Sequence, residues 1–101
     1  MSNKYILMAG QPVPCPDLAT WAIWLDRSAD RLLQRDQIAD VVVSTVFLGL
    51  DHRYGGGGPP VLWETMIFGG PHDQYQERYT SREDALEGHQ KAVALARGED
   101  E

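Results

Sequence analysis

A chain of 101 residues with 43% hydrophobic content suits one domain over residues 1–101 with a single core, and leaves too little chain for two. Its formal charge is −6, and its two lysines and seven scattered arginines form no basic stripe able to release counterions from a phosphate backbone. That argues against a DNA or RNA polymer as partner. The single cysteine, Cys15, rules out an intrachain disulfide, and no apolar run nears the length of a membrane span.

The segment around residues 4–9 reads as a short strand. Pro12, Pro14 and Pro16 then impose an extended, non-helical spacer. Asp17 stands where a helix N-cap belongs, and Leu18, Trp21, Ala22 and Leu25 recur at the spacing of one helix face, which predicts a helix over residues 17–29. Trp24 falls near that face, so two tryptophans mark this helix as a large contributor to the core. Residues 31–37 could extend the helix or form a strand, and the strand reading is favoured. From Val41 to Leu50 both alternating faces are apolar or β-branched, as in a central strand covered on both sides.

A second apolar run, Val61 to Phe68, pairs most simply with the first as an antiparallel hairpin around a glycine-rich loop. After the Gly69-Gly70-Pro71 turn, residues 74–79 read as an edge strand with one wet face. Thr80-Ser81-Arg82-Glu83 matches a capping box and opens a helix over about residues 81–97, with Ala85, His89, Ala92, Val93 and Ala96 on one face. The predicted fold is therefore α+β, an antiparallel sheet of four to five strands with two helices packed on a common face, in the order β-α-β-β-β-β-α. A domain this small gains burial by pairing with a copy of itself, so a homo-oligomer is expected. The absence of export or membrane signals and of disulfides points to the cytoplasm.

The loop concentrates the chemistry. Asp51, His52, Arg53 and Tyr54 directly precede Gly55, Gly56, Gly57 and Gly58, so an acid, an imidazole, a guanidinium and a phenol adjoin a backbone that can approach a ligand closely. Glycine leaves N–H groups free to gather around an anion, and arginine can make two parallel hydrogen bonds to a phosphate. The lysine and following helix of a P-loop are missing. Trp63 and Tyr54 offer rings for stacking, although a strand tryptophan more often packs in a core. Glu64 interrupts an apolar strand, so it either points into a pocket or lies where the sheet meets solvent. Ser44 and Thr45 stand similarly in the neighbouring strand. His52, His72 and His89 have no local metal-ligand spacing, so no metal or other cofactor is expected. His89, on an apolar helix face, reads as a core histidine.

Across nearly its whole length the chain resembles a group of small proteins encoded by bacteriophages and prophages. The resemblance rests on Asp17-Leu18 with Trp21 and Trp24, on Ser44-Thr45-Val46-Phe47-Leu48-Gly49-Leu50-Asp51-His52, on Gly56-Gly57-Gly58-Pro59-Pro60, on Leu62-Trp63-Glu64-Thr65-Met66-Ile67-Phe68-Gly69-Gly70-Pro71, and on Gly88-His89. The group brings no activity to transfer. It implies action in the bacterial host cytoplasm, where many small phage proteins block host defences by binding. The leading expectation is a non-enzymatic binder that sequesters a phosphorylated, nucleotide-like immune signal through Asp51 to Gly58, Trp63 and Glu64. The alternatives are a protein–protein inhibitor or adaptor acting on a host or phage protein, and a small acid–base enzyme using Asp51, His52 and Glu64.

Overall fold

The computed structural model describes residues 3–53 and 58–98. Tyr5–Met8 (β1) and Gln11–Pro14 (β2) form an antiparallel hairpin, so part of the expected spacer is a strand. The alternate prolines explain how this is allowed. The Cys15 N–H donates to the Lys4 carbonyl at 2.8 Å, so by alternation Gln11 and Val13 turn their donors toward β1. Pro12 and Pro14, which have none to give, then fall on the open edge, where none is needed.

Leu18–Arg27 is the first helix, α1. The Asp17 carboxylate caps it, accepting the Thr20 backbone N–H at 2.9 Å and the Thr20 hydroxyl at 2.6 Å, and satisfies donors that the first turn leaves open. A short 3-10 turn, Ala29–Arg31, leads into β3, Leu32–Ile38, so residues 32–37 do form a strand. With Val41–Phe47 (β4), Trp63–Phe68 (β5) and Gln76–Tyr79 (β6) it builds a four-stranded antiparallel sheet in the order β3-β4-β5-β6. The second helix, α2, spans Arg82–Ala96. Its cap is Ser81, whose hydroxyl accepts the Asp84 N–H at 3.0 Å, one residue later than the capping box read from Thr80 and Glu83. The architecture is α+β, two helices packed on the four-stranded sheet beside a two-stranded hairpin.

Alternation along β4 and β5 sorts the sheet into two faces. Val41, Val43, Thr45 and Phe47 are buried on β4, and Trp63, Thr65 and Ile67 on β5, while the residues between them are half-buried or exposed. The central strand is thus covered more fully on one side than the apolar run suggested. Both helices lie on the buried face. α2 sets Ala85, Gly88, His89, Ala92 and Val93 against it, and α1 places the Trp24 ring edge-on to Phe47, 5.8 Å between centroids.

The register divides the core into layers. Phe47 opposes Trp63, Thr45 opposes Thr65, and Val43 opposes Ile67. One apolar cluster contains Leu7, Phe47, Leu62, Trp63 and Ala85, and the other Val41, Val43, Ile67, Ala92 and Val93. Between them lies a polar layer of Thr45, Thr65 and His89, each fully buried.

Candidate functional site

The connection from β4 to β5 is held at its base by its own side chains. After Phe47 the chain turns at Gly49, whose φ of +75° favours glycine. A Cβ there would also come within 2.8 Å of Leu25. The Gly49 carbonyl accepts the Trp21 indole N–H at 2.8 Å, so α1 is fastened to the turn from which the loop departs.

Asp51 is the clasp. Its Oδ1 accepts the backbone N–H of Arg53 at 2.9 Å and of Val61 at 2.8 Å, closing the two ends of the loop on one carboxylate oxygen. His52 donates from Nδ1 to the Leu50 carbonyl at 2.7 Å, which fixes the tautomer because a carbonyl can only accept. Its backbone N–H pairs with the Val61 carbonyl at 2.9 Å. The Arg53 guanidinium donates from Nε to the Pro59 carbonyl at 2.8 Å. Gly58 lies against that guanidinium. Tyr54, Gly55, Gly56 and Gly57 lie outside the described residues.

Trp63 and Glu64, expected beside the same ligand, cannot share a site, because consecutive strand residues point to opposite faces. Trp63 is 1% exposed and packs edge-on to Phe47 at 4.9 Å between centroids, so it has no open ring face on which a base could stack. This corrects its assignment to the loop site. Glu64 lies on the sheet's other face, where its Oε2 accepts from the Gln76 amide and from Arg78 Nε at 3.0 Å. It is a paired carboxylate on a sheet surface, and its bonds do not join it to Asp51 or His52. Ser44 shares that outer face, while Thr45 is in the core.

A concavity adjoins the loop base. A groove of about 550 Å³ runs between β6 and the side of α2, and Arg53 and Val61 close one end. Its sheet-side wall carries Glu77 and Tyr79 of β6 with Tyr75 just before that strand, and its helix wall Asp84, Glu87 and Lys91, spaced to line one flank of α2. Of the described residues expected to bind a ligand, Arg53 and Gly58 meet one another, and Arg53 alone lines it. Gly88 forms part of the floor and leaves room for the Tyr79 ring, which a Cβ at that position would overlap. Burial pushes the Tyr79 phenol above its ordinary pKa, with the Thr65 hydroxyl opposing that rise.

Behind the groove lies a hydrogen-bonded series that no local spacing announces. The His89 ring bonds from Nδ1 to Thr45 Oγ1 at 2.7 Å, and from Nε2 to Asp36 Oδ2 at 2.7 Å. Thr45 Oγ1 in turn lies 2.5 Å from Thr65 Oγ1. With Asp36 ionised and accepting, Nε2 carries the proton, and in the neutral ring Nδ1 accepts from Thr45. The hydrogen bond from His89 is the main reason the Asp36 carboxyl lies below the usual carboxylate range.

The order carboxylate, imidazole, hydroxyl matches that of a nucleophilic triad. Thr45, Thr65 and His89 are each fully buried, so no substrate carbonyl could reach either hydroxyl in this packing, and the array locks α2 to β3, β4 and β5. Among the described residues no group of three or more His, Cys, Asp or Glu side chains is placed to hold a metal. Cys15 is buried, with its thiol directed to the Asp17 carbonyl at 3.9 Å. No described helix is long and apolar enough to cross a membrane.

No protein-family model, curated protein or solved structure matches this chain.

Proposed function

We propose that the protein is a non-enzymatic binder of a small phosphorylated, nucleotide-like ligand, held in the groove between β6 and α2. The observation that carries this reading is the groove itself, about 550 Å³ and thus within the size range of small-ligand sites, with Arg53 in its lining. Arg53 and Lys91 supply charge to a phosphate. Glu77 and Glu87 accept from the hydroxyl groups of a sugar, and Tyr75 and Tyr79 offer aromatic edges to a base. A wall that mixes cations and carboxylates favours a ligand with both anionic and donor groups over a simple anion. In the phage context implied by the sequence resemblance, such capture would withdraw an immune signal in the cytoplasm of the bacterial host.

Titration calorimetry against ADP-ribose and a set of cyclic dinucleotides tests the reading. Saturable heat is expected with at least one of them, and Arg53→Ala and Lys91→Ala should each weaken it by about tenfold, the scale of one charge-assisted contact. No heat with any compound at high micromolar concentration overturns it. Exposed apolar residues on α1, Leu18 at 64% and Ile23 at 57%, favour a second reading, in which the acidic chain docks on a host protein or on its own copy. Light scattering and capture from bacterial lysate distinguish that reading from small-ligand binding.

A further inference from the structure

The four-stranded sheet ends at β6, and the outer side of that strand has no partner strand among the described residues. The carbonyls of Tyr75 and Tyr79 accept the N–H groups of Ile67 and Leu62, each at 3.1 Å, so the backbone groups of these tyrosines face β5. By alternation those of Gln76 and Arg78 face outward, and each presents one N–H and one C=O along the open edge. Proteins commonly protect such edges. The β2 edge carries Pro12 and Pro14, and the β3 edge is interrupted by the register shift at Leu33. β6 has no proline and keeps an even register with β5 from Gln76 to Tyr79.

The groove follows this edge. Glu77 and Tyr79 line its sheet side, and Asp84, Glu87, Gly88 and Lys91 its helix side. Arg78 borders it as well, although its side chain is held on the opposite face by Glu64. What Arg78 turns toward the groove is therefore the strand edge. An added strand lies about 4.8 Å beyond β6, and its side chains on the sheet's buried face then enter the groove between Glu77 and the flank of α2. Glu77, Asp84 and Glu87 make no ion pair with a described residue, and Arg78 is neutralised by Glu64. Three carboxylates thus stand against Arg53 and Lys91 in the lining of a chain whose formal charge is −6, which favours basic side chains on the incoming strand. The charge on β6 discourages indiscriminate pairing and leaves a strand of opposite charge favoured.

We propose that β6 accepts an extended, basic peptide segment of a partner protein as a fifth, antiparallel strand. The segment bonds to the backbones of Gln76 and Arg78, and its alternate lysine or arginine side chains face Glu77, Asp84 and Glu87. Antiparallel addition continues the pairing of every described pair of strands. The proposal gives the protein-docking reading a place and a chemistry. It does not rest on the nucleotide reading, whose ligand such a strand would displace.

The backbone amide resonances of Gln76 and Arg78 in the intact protein provide the readout. A capped pentapeptide of alternating threonine and lysine, with threonine at both ends, should shift both saturably, and its counterpart with glutamate for lysine should not. In an antiparallel pair the threonines fall opposite Gln76 and Arg78 and bond to them, while a lysine opposite Glu77 turns its own N–H away. Backbone N-methylation of the threonines should therefore abolish binding, and N-methylation of the lysines should leave it. Glu87→Gln, at an exposed position, should weaken binding about threefold, the scale of one exposed ion pair. No shift at millimolar peptide overturns the proposal. Shifts that survive methylation of the threonines overturn it too, since attraction between side chains is then enough. ADP-ribose binding without a peptide response leaves the nucleotide reading standing and removes this one, and a peptide response without nucleotide heat does the reverse.

Discussion

The two helices lie on the same face of the sheet and bind to it by opposite means. α2 presents small residues, Ala85, Gly88 and Ala92, with His89 between them, and five of its positions are buried. Its backbone therefore comes close to the strands, and a single imidazole is enough to bridge to β3 and β4. α1 carries two tryptophans and has no buried residue. It reaches the sheet at arm's length, through the Trp24 ring on Phe47 and the Trp21 indole on the Gly49 carbonyl. Residue bulk is therefore a poor guide to which helix the core depends on. Close approach needs small side chains, and it gives the polar groups that remain a short, dry path to each other.

The largest effect expected from breaking this arrangement is that of His89→Ala. The substitution opens a cavity in a fully buried layer and removes both hydrogen bonds of the ring, so it should cost about 2–4 kcal/mol, measured by urea unfolding. Acid should weaken the same link in the native protein. The folded-state pKa of Asp36 is depressed by its bond to His89, so the stability it contributes is complete above its ordinary pKa of 3.8 and is lost as the pH falls through the lower, folded-state value. Asp36→Asn should therefore flatten the dependence of stability on pH below about pH 4. If the mutant and the parent protein lose stability in parallel there, the bond from His89 is not what holds the carboxylate ionised.

A smaller cost is expected for Gly88→Ala. Alanine gains roughly 1 kcal/mol over glycine in a helix interior, but here its methyl group would occupy the space of the Tyr79 ring, and overpacking of that kind costs about 1–3 kcal/mol. The two effects nearly cancel if the ring can move and sum to a net loss if it cannot. The double mutant Gly88→Ala/Tyr79→Ala separates these outcomes: with the ring removed, alanine at residue 88 should be stabilising relative to glycine. A glycine-to-alanine penalty that persists without the ring would place the constraint in the helix backbone.

Much of this layout was legible in the chain. The β-branched run from Val41, the apolar run ending at Phe68, the Asp17 cap and the alanine-rich face of α2 each carry their structure in local pattern, because period and capping are local properties. The histidine on an apolar helix face was recognisable as a core residue from its neighbours. Its partners were not, since Asp36 and Thr45 are brought to it by strand pairing across 53 and 44 residues of sequence. The site reading went astray at Trp63 and Glu64 for a simpler reason: neighbours in sequence were treated as neighbours in space, which a β-strand forbids. The groove was missed because its walls come from β6 and from a flank of α2 that has no apolar signature, and among the described residues of the expected site only Arg53 ties it to the glycine loop that drew attention in the sequence.

The smallest effect should come from the outward side of α1, and it bears most directly on how the two helices differ. Trp21 and Trp24 fasten α1 to the turn at Gly49 and to Phe47, while Leu18 and Ile23 are more than half exposed. Exposed positions usually change stability by no more than about 0.5 kcal/mol. Leu18→Ser and Ile23→Ser should therefore leave the urea midpoint of dilute protein close to that of the parent. If either costs as much as a core substitution, that side of α1 is covered in solution, and repeating the measurement over a range of protein concentrations identifies the cover. A midpoint that rises with concentration in the parent but not in Ile23→Ser assigns it to a second copy of the chain. A midpoint that stays fixed in both leaves the outward side of α1 uncovered, with the helix held from its inner side by its two indoles and Leu25.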